Sequence, residues 1–135
     1  MKKLIWLAFM VVAASLLVGC GGSKGPSTSI DVTLTEFSFT PDEFTVPAGQ
    51  EITVHTTNNG AVIHDFAIMK LGTTVGTDFD EEDQGNIYWK IQTPIGQEAT
   101  GTFTAPEEPG DYQVVCGVPG HYMSGMLATL HVVAP

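Results

Sequence analysis

The run Cys116-Gly-Val-Pro-Gly-His121-Tyr-Met-Ser-Gly-Met126 places a thiolate, an imidazole and a thioether at even spacing on one loop. Soft sulfur donors favour Cu(I), and imidazole suits both copper oxidation states. Two His with one Cys and a long axial Met form an arrangement that moves single electrons. The set therefore calls for a second His. His64 is the best placed candidate, because Asn58-Asn-Gly-Ala-Val-Ile-His64-Asp-Phe-Ala-Ile runs from turn-forming residues into an apolar strand. Pro119 restricts the backbone just before His121, and Gly120 permits a tight approach there. Taken singly, a Cys on an apolar strand is most often a buried hydrophobe, and a lone His or Met is more often structural than a ligand. Their joint occurrence is what points to a metal. Met123, two residues past His121, is expected beside the site rather than on the metal. His55 and His131 stand within strands without partner ligands and are expected to be structural or surface residues.

These donors need a scaffold that holds them still. Strand-like runs follow one another at Ile30 to Phe37, Glu43 to Val46, Glu51 to Thr57, His64 to Met69, Ile87 to Ile91, Glu98 to Thr104, Asp111 to Cys116 and Leu127 to Val133. Each is bounded by Gly, Pro, Asn or Asp, and no long helical period appears. Short strands with turn signals predict an all-β fold, an antiparallel Greek-key β-sandwich. Cys116 then ends one strand, Met126 opens the next, His121 lies on the loop between them, and His64 arrives from a separate strand. Lys70 to Gly85 is weakly patterned and reads as a connection with a short helical turn. It carries Asp78, Asp80, Glu81, Glu82 and Asp83, either a solvated surface or a docking patch for a basic redox partner.

The chain opens with Lys2 and Lys3, continues through apolar residues from Leu4 to Val18, and reaches Leu17-Val-Gly-Cys20. This is the pattern of an export signal. A Cys after Leu-Val-Gly also resembles the bacterial lipoprotein cleavage box, which predicts a signal peptide over 1–19 and lipidation at Cys20. Residues 20–29 have the composition of a flexible tether, and 30–135 form one domain. Removal of 1–19 leaves 116 of the 135 residues, with three Lys, no Arg and fifteen acids, a net charge of −12. No cationic surface remains to neutralise phosphates, which argues against nucleic acid as a partner. Cys116 is then the one unmodified thiol, so no internal disulfide is expected. The reading is an extracytoplasmic protein, lipid-anchored on the periplasmic or outer cell-surface side.

From Ile30 to its end the chain resembles the cupredoxins, the small blue-copper proteins that include the azurins, plastocyanins, rusticyanins and auracyanins. The resemblance rests on Cys116-x4-His121-x4-Met126 with Pro119-Gly120, on His64 followed by a polar residue and Phe66, and on Phe44-Thr-Val-Pro-Ala-Gly-Gln-Glu-Ile-Thr-Val54. The loop spacing is closer to that of rusticyanins and auracyanins than to that of azurins or plastocyanins. Azurins carry Asn after the first His where this chain has Asp65, a difference that bears on the tuning of the site. The resemblance implies one copper ion held by His64, Cys116, His121 and Met126. It also implies that the backbone N–H of Asp65 donates to the Cys116 sulfur, with Val118 supplying a second N–H. His64 is expected inside, and His121 at a rim of Val118, Pro119, Tyr122, Ala61 and Val62 that serves as the electron port.

The function this implies is a monomeric, membrane-tethered, non-catalytic carrier of single electrons between redox proteins such as cytochromes, an oxidase or a reaction centre. The alternative is a lipoprotein that captures or delivers copper. An enzyme is disfavoured, because no third residue orients a Cys-His nucleophilic pair. The second loop Cys that a two-copper centre requires is also missing.

Overall fold

Alternation of apolar and polar residues becomes alternation of burial wherever a strand has one face in a core. In Glu51–Asn58 the residues Ile52, Val54, Thr56 and Asn58 are buried, while those between them face outward. The computed structural model describes residues 25–135. The export signal, Cys20 and the first part of the tether lie outside the described residues. Ser27 N–H already donates to Thr45 C=O at 2.9 Å, and Thr53 N–H to Thr28 C=O at 2.9 Å.

Among the described residues the strands are β1 (Ser29–Thr35), β2 (Ser38–Thr40), β3 (Glu43–Pro47), β4 (Glu51–Asn58), β5 (His64–Met69), β6 (Ile87–Thr93), β7 (Glu98–Thr104), β8 (Gly110–Val115) and β9 (Leu127–Val133), with one short helix, α1 (Glu81–Gln84). They form a sandwich of a four-stranded sheet, β2-β1-β4-β7, and a five-stranded sheet, β3-β9-β8-β5-β6. The all-β sandwich is as expected, but its sheets are mixed. β1 pairs with β4 in parallel, and β3 with β9 in parallel. The reason is a change of sheet: β3 leaves its neighbours β1 and β2 for the opposite layer, and β4 returns beside β1 running the same way. The strand expected from Ile30 to Phe37 stops at Thr35, since the chain turns at Glu36-Phe37 and pairs Thr35 with Ser38 of β2.

Between the sheets lies a core that includes Leu34, Val46, Ile52, Val54, Phe66, Ile68, Val114 and Leu130. Phe66 packs edge-on to Phe39 and Phe44, with ring centroids 5.6 and 5.5 Å away. Each such buried side chain contributes roughly 1.5–3 kcal/mol. Every residue of β5 is buried, not alternate ones. Its other face is covered by the connection before β6, whose Val75 and Phe79 pack on Ala67, Met69 and Val115. Strand β5 is therefore fixed from both sides, and it carries His64 at its first position.

Candidate metal centre

Strands β8 and β9 set two of the four candidate donors. Their antiparallel register ends at Val115 opposite Leu127. One step further, Cys116 N–H donates to Met126 C=O at 3.3 Å, so both side chains turn inward at the same level. Cys116 and Met126 are completely buried in the main core. The loop between them folds back on itself: His121 C=O accepts Met126 N–H at 3.0 Å, and Tyr122 C=O accepts Gly125 N–H at 2.8 Å. Gly120 and Gly125 have φ of 82° and 99°, a region glycine enters without the Cβ clash.

His121 Nδ1 lies 3.3 Å from Cys116 Sγ, and His64 Nδ1 lies 3.8 Å from it. The three donor atoms all lie within 4.8 Å of one another, and all three residues are buried. The two imidazole rings have centroids 4.9 Å apart. His64 is wholly buried, whereas His121 keeps 7% of its surface exposed. Burial, reinforced by the neighbouring His121, holds His64 below the ordinary imidazole range. Burial pushes the Cys116 thiol up, and the backbone N–H groups of Asp65 and Val118 offset part of that rise. Asp65 N–H points at the sulfur from 3.4 Å. Two imidazoles and a thiol gathered away from water form a set that a soft, borderline cation would suit. Together with Met126 they are arranged as a copper site.

The loop that precedes β5 is braced from below. Asn58 is buried; its side-chain amide donates to Val62 C=O at 2.8 Å and Thr93 C=O at 2.9 Å, and its oxygen accepts Gly60 N–H at 2.8 Å. Asp65 turns its carboxylate to the other face of β5, where Gln92 Nε2 donates to it at 2.8 Å and Lys90 Nζ lies 3.8 Å away.

Three residues that bear on the site were not singled out for it from sequence. Glu36 Oε1 accepts N–H bonds from Ala61 at 2.6 Å and Val62 at 3.2 Å, and the Ala61 N–H holds its carboxyl below the usual range. Phe37 stacks edge-on to His121, with centroids 5.1 Å apart. Asp78 accepts Gly120 N–H at 2.8 Å and Met123 N–H at 3.4 Å, and the Gly120 bond lowers its pKa. Glu36-Phe37 looks like the tail of a strand, and Asp78 looks like one more surface acid. Glu36, standing where the alternation of Ile30, Val32 and Leu34 calls for an apolar residue, was the one available signal.

The expected rim is divided. Val118 packs against the main core, and Pro119, Ala61 and Val62 are exposed. Tyr122 packs instead with the second cluster; its hydroxyl donates to Val75 C=O at 3.3 Å and accepts from Gln113 Nε2 at 3.0 Å. Asp80 and Asp83 are engaged as caps of α1: Asp80 Oδ1 accepts Glu82 N–H at 2.8 Å, and Asp83 Oδ2 accepts Asp80 N–H at 3.1 Å. Glu81 and Glu82 are exposed. Met123 is 63% exposed. His55 Nδ1 lies 3.0 Å from Thr100 Oγ1 and His131 Nδ1 2.6 Å from Asp111 Oδ1, and neither belongs to the buried donor cluster.

The same fold is found in solved blue-copper proteins. Dithionite-reduced auracyanin from the photosynthetic bacterium Roseiflexus castenholzii is similar with a TM-score of 0.68 and 34% identity, covering 81% of this chain and 99% of that one. Rusticyanin from Thiobacillus ferrooxidans has a TM-score of 0.58 at 20% identity, covering 79% of each chain, a likeness of fold alone. In sequence the chain is 34% identical to auracyanin-A of Chloroflexus aurantiacus, over 93% of this chain and 95% of that protein. The model of the cupredoxin-like domain matches residues 4–129, and with the sandwich and its His-Cys-His cluster already described, the chain belongs to the cupredoxin-like family.

Proposed function

We propose that this protein is a type 1 copper carrier of single electrons, working outside the cytoplasm from a lipid anchor at Cys20. The observation that carries the reading is the convergence of Cys116 Sγ with Nδ1 of His64 and His121, all within 4.8 Å and buried. Met126, which is also fully buried, would be the fourth donor, a thioether. A bound copper ion supplies reversible Cu(I)/Cu(II) chemistry. The chain's own residues supply the rest. The sandwich holds the donors in one geometry for both states, because His64 opens β5 and Cys116 directly follows β8, and both are fully buried. Asp65 and Val118 N–H groups stabilise the thiolate, and the core excludes water from it.

His121 is the donor with an edge toward solvent, so it is the port. Phe37 lies edge-on to it, and the exposed apolar residues Pro119, Ala61 and Val62 are the rest of the proposed rim. Redox proteins such as cytochromes, an oxidase or a reaction centre dock there, with Glu81 and Glu82 steering those that carry basic surfaces. A closed site with three fully buried donors favours electron transfer over copper delivery, which requires the ion to leave. The relatives support the same reading: auracyanin A of Chloroflexus aurantiacus is described as a blue copper protein.

The optical spectrum of the copper-loaded domain before and after ascorbate tests this. An intense thiolate-to-Cu(II) band that bleaches on reduction is expected, and Cys116→Ser should abolish it. A retained band in that variant sinks the assignment. Mass spectrometry of membrane-extracted protein should find an acylated N-terminal Cys20, and an unmodified start elsewhere removes the anchor.

A further inference from the structure

The turn between β1 and β2 reaches both histidines with consecutive residues. Phe37 lies edge-on to His121, and Glu36 Oε1 stands 3.5 Å from His64 Nε2. The same oxygen accepts the Ala61 and Val62 N–H groups at 2.6 and 3.2 Å. One carboxylate therefore ties this turn to the segment leading into His64. His64 Nε2 is buried and has no hydrogen-bond partner among the described residues, since 3.5 Å is at the outer limit for one. An imidazole that ligates through Nδ1 carries its proton on Nε2, and ligating histidines give that proton to a carboxylate, carbonyl or water that sets the ring's orientation. Glu36 is the acceptor at hand. The backbone closes over the pair: a Cβ on Gly60 would stand 2.5 Å from Glu36 Oε1 and 2.8 Å from His64 Nε2.

We propose that Glu36 is a positioning residue of the metal centre, accepting the Nε2 proton of His64, fixing that ring against Cys116 and, by its charge, favouring the oxidised state. The inference rests on the reading of His64 as a copper ligand. A negative charge close to the ion stabilises Cu(II) over Cu(I) by Coulomb attraction. The Glu36 side chain is 35% exposed, so water weakens that attraction without removing it.

Glu36→Gln separates geometry from charge, because its amide oxygen can still accept from Ala61, Val62 and His64. The copper-loaded variant should keep its blue band. At a fixed solution potential, its ratio of reduced to oxidised protein should rise about tenfold, equivalent to about 59 mV for one electron. Glu36→Ala removes the acceptor as well, and amide exchange at Ala61 and Val62 in the metal-free protein should quicken by tenfold or more. A wild-type blue centre whose potential is unmoved in Glu36→Gln overturns the role of Glu36 while leaving the copper reading intact. Unaltered exchange at Ala61 and Val62 in Glu36→Ala overturns the tie itself, with no copper present. A wild-type protein with no blue centre overturns the copper reading and this inference with it.

Discussion

Asp78 and Gly120, 42 positions apart, meet where the connection before β6 passes the ligand loop: Asp78 Oδ2 accepts the Gly120 N–H at 2.8 Å. Its second oxygen takes the Met123 N–H at 3.4 Å. One carboxylate thus pins the loop on both sides of His121, from a segment that the sequence presents as a plain acidic surface.

Asp78→Ala should cost about 1 kcal/mol of stability, since charge-assisted bonds to backbone N–H groups are lost but the site is half open to water. Asp78 has a pKa lowered from 3.8. Its contribution is therefore present above that value and disappears as pH falls through the lowered one. Denaturation midpoints of the metal-free wild type and variant should differ at neutral pH and converge under strong acid. A constant gap across the titration contradicts this account.

Met126 is fully buried and Met123 is 63% exposed. An axial thioether mainly sets the potential, so Met126→Leu should keep the blue band and raise the potential. The swap nearly conserves volume and should cost less than about 1.5 kcal/mol. Met123→Leu should change neither quantity. Spectroelectrochemistry of both variants decides, and a larger shift from Met123→Leu would make Met123, not Met126, the thioether at the metal.

Gly60→Ala should damage the site from outside the ligand set. Its Cβ would meet Glu36 Oε1 at 2.5 Å and His64 Nε2 at 2.8 Å, so the ring or the loop must give. Overpacking of this kind costs about 1–3 kcal/mol. Copper retention under a competing chelator should fall, and the optical band should move. Gly76→Ala, where an added Cβ has nothing within 4 Å, is the control.

Charge on α1 should act on encounter and not on the metal. Glu81→Gln with Glu82→Gln leaves the capping carboxylates of Asp80 and Asp83 in place. The double variant should associate more slowly with a basic cytochrome at low salt. The difference should shrink near 0.1 M, where the Debye length is about 10 Å. Stopped-flow rates against ionic strength test this, with the blue band unchanged; equal slopes return the segment to a solvated surface. Val118→Asp at the rim should instead slow transfer within the docked complex.

Donor chemistry was legible in the sequence because it depends on residue types at short range: Cys116, His121 and Met126 lie within one loop, and strand alternation announces which faces are buried. The all-β sandwich and most strand limits followed from the same local rules. His64 was legible too, since an apolar strand must begin somewhere and a His at its start is held there. What tertiary structure alone decided is which distant polar groups serve that loop. Glu36, Phe37 and Asp78 resemble ordinary surface residues until the β1–β2 turn and the connection before β6 are folded against the histidines. Hydrogen bonds across such separations leave no period in the chain. The parallel pairings of β1 with β4 and β3 with β9 were hidden for the same reason: a strand's own residues encode its buried face, while the direction of its neighbour is set by where the rest of the chain crosses between the sheets.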